Sequence, residues 1–370
     1  MRARLAAYTA GLSWAAIALL PLTVVLTAMV TAPFILLAGA NPLDVYHAYL
    51  LGPLANANSL IEVLVAATPI LFTGAAVAIA FRAGYWNIGA EGQLLCGAIA
   101  AAWIGTLVAD LSPLLALPLM IAGGALAGAG WALGPALLRT RLGIDEVVTT
   151  LLLNPVALLL VNGLLHGPWR DPQTGFPESP RIAASAEFPL LIERARLHLG
   201  FLLAVVIVLV AWFVLTRTTV GVKLRAAGLS PGAAQFAGMN VGRTLLGAAL
   251  VSGAIAGIAG VSEVAGLQYR LTAGVSPGFG YTGIVVATLG GLSMPGVGVA
   301  ALLLGDLRVG ARAAARPPLG VPSQMGEIIQ ATLLLVTVAL LALHRFGVLE
   351  RTYGRILRRR HAGGVEAEPG

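Results

Sequence analysis

Few side chains in this sequence could carry out chemistry, and their spacing argues against an enzyme. The histidines are isolated from one another, at His47, His166, His198, His344 and His361. The single cysteine, Cys96, lies in an apolar run and allows neither an intrachain disulfide nor a cysteine-based metal site. The only lysine, Lys223, follows a valine rather than the glycine of a Walker A motif. We therefore predict no catalytic residue, no metal and no cofactor in this chain.

A second group of polar residues lies in or beside strongly apolar stretches. These residues are Asn87, Glu91, Gln93, Asn154 and Glu263. An ionised side chain at the centre of a bilayer costs roughly 3 kcal/mol or more unless it is satisfied. Two interpretations stay open: the group joins neighbouring helices by hydrogen bonds, or it lines a translocation pathway. The sequence has no paired carboxylates at proton-relay spacing, which argues against a proton-coupled carrier.

The composition places these residues in a membrane protein. Of the 370 residues, 58% are hydrophobic and only 11% are charged, and the mean hydropathy is +0.89. Soluble domains carry roughly 25% charged residues, and disordered chains carry more. We predict an all-α polytopic membrane protein with a single transmembrane domain over residues 1–345 and a basic cytoplasmic tail over 346–370.

Apolar runs predict about ten transmembrane helices. They cover residues 12–38, 60–81, 88–109, 114–138, 146–166, 199–216, 243–262, 281–292, 296–311 and 326–344. The first run is too long for the 7–15-residue core of a signal peptide, so we expect it to remain uncleaved. The eighth and ninth runs are short and glycine-rich, and they could form one broken hairpin that does not fully cross.

The distribution of cations predicts the orientation. With the N-terminus inside, 15 arginine and lysine residues fall on the inner side and 7 on the outer side. This asymmetry favours cytoplasmic N- and C-termini, and it explains the net charge of +7 without a nucleic acid partner. The proline-rich loop 167–198 is then outside and irregular, and the segment 217–242 is inside.

The inner segment 217–242 has the signature of a short helix over 231–237. Ser230 is a suitable N-cap, Pro231 suits the first helical position, and Gly238 can adopt the left-handed conformation after the helix. This helix could lie on the membrane surface or dock on a cytoplasmic partner, and its spacing leaves both interpretations open.

Four blocks in the chain resemble the permease subunits of ABC importers in the ribose, branched-chain amino acid and nucleoside group. Residues 87–94 resemble the NIGAEGQ stretch, 145–154 the EV-x-T-x-x-LN segment, 224–240 the cytoplasmic coupling segment, and 280–310 the last glycine-rich hairpin. The first two blocks are most similar to the nucleoside and simple-sugar branch. Pro155 and the turn 291–293 depart from the pattern of this branch. These departures affect the inference about the substrate and not the inference about the family.

The resemblance implies a subunit of a bacterial-type cell membrane that forms half of the pathway for a nucleoside or simple sugar. Its expected partners are a homologous or identical second permease, an extracytoplasmic binding protein, and a cytoplasmic subunit that binds ATP and Mg²⁺. It further implies that spans two to five and seven to ten are inverted-repeat halves. The resemblance assigns coupling to the ATPase to Ser230, Pro231, Ala233, Ala234, Phe236, Gly238 and Asn240.

Three other functions remain open from the residues alone. They are a stand-alone secondary carrier or channel, an importer permease for branched-chain amino acids, and a membrane scaffold without transport. The capped inner helix argues against the carrier, and the polar residues in the spans argue against the scaffold. ATP-dependent uptake into reconstituted vesicles would separate the importer from the carrier.

Overall fold

The computed structural model describes residues 21–172, 174–322 and 324–345, and its regular elements there are helices. Two isolated β-bridges occur in the same residues, but no strand. The helices are α1 (Pro21–Leu37 in the described part), α2 (Pro42–Leu50), α3 (Ala57–Arg82), α4 (Ala90–Leu107), α5 (Pro113–Leu142), α6 (Glu146–His166), α7 (Leu199–Arg217), α8 (Thr219–Leu229), α9 (Pro231–Phe236), α10 (Val241–Glu263), α11 (Phe279–Leu289), α12 (Met294–Ala314) and α13 (Gln324–Arg345).

Seven helices in the described residues are long and apolar enough to cross a bilayer. They are α3, α4, α5, α6, α7, α10 with its π-helical extension Val264–Gln268, and α12. The segments Pro21–Leu37, Phe279–Leu289 and Gln324–Leu340 are shorter apolar helices. The prediction of an all-α polytopic membrane protein is therefore confirmed. Residues 12–20 of the first predicted span and the predicted tail 346–370 lie outside the described residues.

The predicted eighth and ninth spans differ from expectation. Helix α11 has 11 residues and measures about 16 Å, roughly half of a hydrocarbon core of about 30 Å. Helix α12 has 21 residues, so the expectation of a short ninth segment is wrong. It begins directly after Ser293, whose hydroxyl accepts a hydrogen bond from the Gly296 N–H at 3.2 Å. Its Gly305 lies against the α3 backbone, so this glycine supports close packing rather than a helix break.

Helix α3 forms the centre of the bundle. In its most apolar stretch 89% of the residues are buried, whereas the corresponding figure for α5, α6 and α7 is 22%. A helix that is apolar on every face needs protein or lipid on every face, and α3 contacts α7, α10, α11 and α12. The outer helices instead leave most of their apolar surface for lipid.

Helices α4, α5 and α10 approach each other closely through glycines. A β-carbon added to Gly257 of α10 would lie 2.1 Å from the Gly124 oxygen of α5. A β-carbon added to Gly97 of α4 would lie 2.1 Å from the Gly257 oxygen. Glycine is required here because only the lack of a side chain lets these backbones touch.

The loops lie in two groups that match the predicted sides of the membrane. In the predicted outer loop, Ser179 N–H and Ile182 N–H donate to the Leu271 and Tyr269 carbonyls, each at 2.9 Å. Apart from one 3₁₀ turn, Ala184–Ala186, this loop is irregular, as its prolines predict. In the other group, the turn after α3 packs against Gly228 of the inner segment. The assignment of this group to the cytoplasm stays a prediction.

The inner segment contains two helices where the sequence predicted one. Helix α8 precedes the predicted short helix, which is α9. Ser230 occupies the predicted N-cap position of α9, and its carbonyl accepts the Ala234 N–H at 2.9 Å, but its side chain makes no capping hydrogen bond. Its backbone instead continues from α8, because Ser230 N–H donates to the Ala226 carbonyl at 3.1 Å. Gly238 adopts the predicted left-handed conformation, with φ of +82°.

Candidate translocation site

A large cavity lies between α3, the end of α10, the loop 269–278, α11, α12 and α13. Its volume is about 650 Å³. One end is lined by Arg196, which belongs to the predicted outer loop. The loop 269–278 descends from that side into the bundle, where the Phe279 carbonyl accepts a hydrogen bond from the Thr73 hydroxyl at 2.9 Å. The cavity therefore extends from the outer loops towards the middle of α3.

One wall of this cavity carries several polar side chains. The Gln330 amide of α13 donates to the Thr282 hydroxyl of α11 at 2.8 Å, and the Arg308 guanidinium of α12 lies 3.3 Å from the same hydroxyl. The Arg308 guanidinium also lies 4.6 Å from the centre of the Phe279 ring. Such a distance is within the range of a cation–π interaction. Three helices thus bring a cation, a hydroxyl and an amide to one wall.

Two buried atoms on this wall have unused hydrogen-bonding capacity. Glu263 at the end of α10 is 3% exposed, and its Oε1 has no hydrogen-bond partner among the described residues. The Nε of Arg308 also has none there. An unsatisfied polar atom in a buried site costs about 1–3 kcal/mol, so such atoms are commonly satisfied by water or a ligand. Both residues line the cavity.

A separate polar cluster joins α4, α6 and α10. The Asn87 amide donates to Gln93 Oε1 and to the Ser252 hydroxyl, both at 2.9 Å. The Asn154 side chain accepts from the Gly92 N–H and donates to the Ile88 carbonyl, also at 2.9 Å. These amides are buried and paired. They hold the turn before α4 against its neighbours and do not line the cavity.

Glu91 connects α4 to α11. Its Oε2 accepts a hydrogen bond from the Gly280 N–H at 2.6 Å. Gly280 lies in the first turn of α11, where backbone N–H groups have no intrahelical partner and a negative charge is favourable. An added β-carbon on Gly280 would lie 2.2 Å from the Glu91 nitrogen, so the two helices meet at backbone distance. Glu91 therefore fixes the inner end of the loop that borders the cavity.

Only part of the surface of the short helix α9 is exposed. Phe236 is 96% exposed, and Ala233 is also exposed, whereas Ala234 is only 4% exposed. Ala234 accordingly faces the rest of the chain, and its assignment to coupling stays a prediction. Phe236 is the largest apolar side chain on the free surface of α9, which also includes the polar Gln235.

Comparison with known proteins identifies the family of this chain. The model of the family described as "Branched-chain amino acid transport system / permease component" matches residues 59–338. The chain belongs to this family. It is a permease subunit of an ABC transporter and not an enzyme.

Several curated relatives cover most of the permease. It is 36% identical to a guanosine ABC transporter permease protein of Bacillus subtilis, over 86% of this chain and 92% of the relative. It is 37% identical to a glucose ABC transporter permease protein of Haloferax volcanii, over 89% of each chain. A nucleoside ABC transporter permease protein of Lactococcus lactis is 31% identical, over 85% of this chain and 89% of the relative. No solved structure matches the permease significantly.

The structure separates the candidate pathway residues of the permease into three places. Glu263 lines the cavity, Glu91 lies beside its inner border, and Asn87, Gln93 and Asn154 form the joint between helices. The sequence analysis did not select the cavity residues Thr282, Arg308 and Gln330. A signal existed for Arg308, which is a lone arginine inside an apolar run. No sequence signal pointed to Thr282 or Gln330, because only the packing of α11 against α13 brings these two residues together.

Proposed function

We propose that this permease forms half of the translocation pathway of an ABC importer for a nucleoside or a simple sugar. The observation that carries the proposal is the cavity wall of Glu263, Arg308, Thr282 and Gln330. This wall offers both hydrogen-bond donors and acceptors to a ligand, without a large excess of one charge. Such a set suits a neutral molecule that bears hydroxyl groups. The names of the relatives, which specify guanosine, nucleosides and glucose, support the same substrate class.

The proposal includes partners in a bacterial-type inner membrane. A second permease, identical or homologous, completes the pathway, and an extracytoplasmic binding protein delivers the ligand. A cytoplasmic subunit binds and hydrolyses ATP with Mg²⁺, and α9 is the element that docks on it. The exposed Phe236 is the main anchor in this docking, because buried aromatic side chains contribute much of the binding energy of interfaces.

Uptake measurements test the pathway. We expect Arg308→Gln to lower uptake of labelled guanosine or glucose by about tenfold or more, because a hydrogen bond from a charged group contributes about 1.5–3 kcal/mol. Glu263→Gln keeps the size of the side chain and removes its charge, and we expect it to lower uptake too. Arg316→Gln is the control, since Arg316 is exposed and does not line the cavity. Normal uptake by both cavity variants would contradict the proposed pathway.

Co-purification tests the docking of α9 separately. We expect Phe236→Asp to lower recovery of the ATP-binding subunit with the permease while the permease stays in the membrane. Phe176→Asp is the matched control, because Phe176 is an exposed phenylalanine of the predicted outer loop. Equal recovery with both variants would show that α9 does not dock through Phe236.

A further inference from the structure

A second cavity shares no lining residue with the translocation site and is an apolar groove. It has a volume of about 440 Å³ and runs between α7 and α10, with Ile79 of α3 among its lining residues and α8 at one end. The α7 residues that line it extend from Ile207 to Leu215, which corresponds to roughly 12 Å along that helix. Its walls are almost entirely aliphatic. The groove therefore matches a hydrocarbon chain and offers few hydrogen bonds to a polar solute.

The end of this groove beside α8 is positively charged. Lys223 of α8 and Arg243 of α10 both line it, and both are exposed. Neither side chain forms an ion pair with a carboxylate in the part of the chain that the structure describes. Lys223 is also the only lysine in the sequence. Two unpaired cations thus lie at the mouth of an apolar groove, in the segment predicted to be cytoplasmic.

We propose that this groove binds one anionic phospholipid. An acyl chain would lie between α7 and α10, and the phosphate would lie between Lys223 and Arg243. Basic pockets between transmembrane helices at the cytoplasmic side bind anionic head groups in this way. A free phosphate would gain nothing from the aliphatic walls, and a zwitterionic lipid would gain little from the two cations. The proposal does not depend on the transported substrate, because the groove and the translocation site share no lining residue.

Gly247 provides a way to block the groove without disturbing the fold. It lies on α10, lines the groove, and has no atom within 4 Å of an added β-carbon. A leucine at this position would therefore extend into the space that the acyl chain needs. Gly130 of α5 is the matched control, because it is also an exposed helical glycine with open space but lies away from the groove.

Native mass spectrometry of the purified full chain tests the proposal. The chain is incubated with dioleoyl phosphatidylglycerol or dioleoyl phosphatidylcholine, and retained lipid is counted. We expect one tightly retained phosphatidylglycerol and no equivalent phosphatidylcholine. Each cation removed should weaken retention about fivefold, so Lys223→Gln with Arg243→Gln should weaken it by more than tenfold. Arg217→Gln, which removes an exposed cation outside the groove, should have no effect.

The two glycine variants and a soluble competitor complete the test. Gly247→Leu should abolish retention, Gly130→Leu should preserve it, and excess glycerol phosphate should not displace the lipid. Equal retention of both lipids, or retention by Gly247→Leu, would overturn the proposal. Displacement by glycerol phosphate would show a simple phosphate site and would also overturn it. A change of oligomeric state in Gly247→Leu with lipid still bound would indicate that a second chain covers the groove instead.

Discussion

The replacement of Gly257 by alanine tests whether close glycine contacts hold the bundle together. The new methyl carbon would lie 2.1 Å from the Gly124 oxygen and 3.1 Å from the Gly128 α-carbon, whereas ordinary van der Waals contact begins near 3.4 Å. Both contacted groups are backbone, so no rotation of a side chain can relieve the clash. Helix α5 or α10 must therefore move, and Gly97 of α4 touches the same residue.

The expected size of the effect follows from two opposing contributions. Alanine in place of glycine favours a helix by about 1 kcal/mol. Overpacking of a tightly packed core costs typically about 1–3 kcal/mol. At Gly257 both apply, so we expect a net destabilisation of up to about 2 kcal/mol. At Gly130 no atom lies within 4 Å of the added carbon, so Gly130→Ala should be neutral or slightly stabilising.

Thermal unfolding of the purified full chain in one detergent measures this difference. The midpoint of Gly257→Ala should fall by a few degrees relative to the wild type, whereas that of Gly130→Ala should stay the same or rise. A midpoint for Gly257→Ala at or above that of Gly130→Ala would refute the reasoning. In that case the helices could separate at no cost, and the glycines would not determine their spacing.

Three further predictions concern other parts of the chain. Asn154→Leu should lower the thermal midpoint by more than Asn162→Leu, because it leaves the buried Gly92 N–H without its acceptor. Asp145→Ala should cost about 1 kcal/mol in thermal unfolding, because its carboxylate accepts the Val147 N–H at 2.7 Å at the start of α6. Burial lowers the pKa of His198 in the predicted outer loop to about 4. An unfolded histidine takes up a proton near pH 6.5, whereas the folded His198 stays neutral down to about pH 4. The free energy of unfolding should therefore fall as the pH is lowered from 6.5 to 4. Thermal unfolding at several pH values measures this loss, which should be smaller for His198→Gln.

Local sequence patterns predicted much of the segment 217–242 but not its exposed face. Proline at the first helical position and glycine after the last turn are local requirements, and both hold at Pro231 and Gly238. The orientation of Ala234 depends instead on how α9 packs against α8 and α10, which no local pattern encodes. Ser230 holds the predicted N-cap position, but α8 ends at Leu229, so Ser230 is the junction between two helices and its side chain makes no capping hydrogen bond.

The sequence by itself determined that this chain is a helical membrane protein of the permease family. The reason is that apolar runs of bilayer length and the family's motifs can be identified without knowing any contact. Only the tertiary structure decided which polar residues line the cavity. Thr282, Arg308 and Gln330 are separated by up to 48 residues, and they meet because α11, α12 and α13 pack against one another. Glu263 lines the same wall, whereas the Asn154 side chain forms hydrogen bonds inside the bundle, to Gly92 and Ile88. Both residues are polar side chains next to apolar runs, and only the packing of the helices decides which of them lines the cavity.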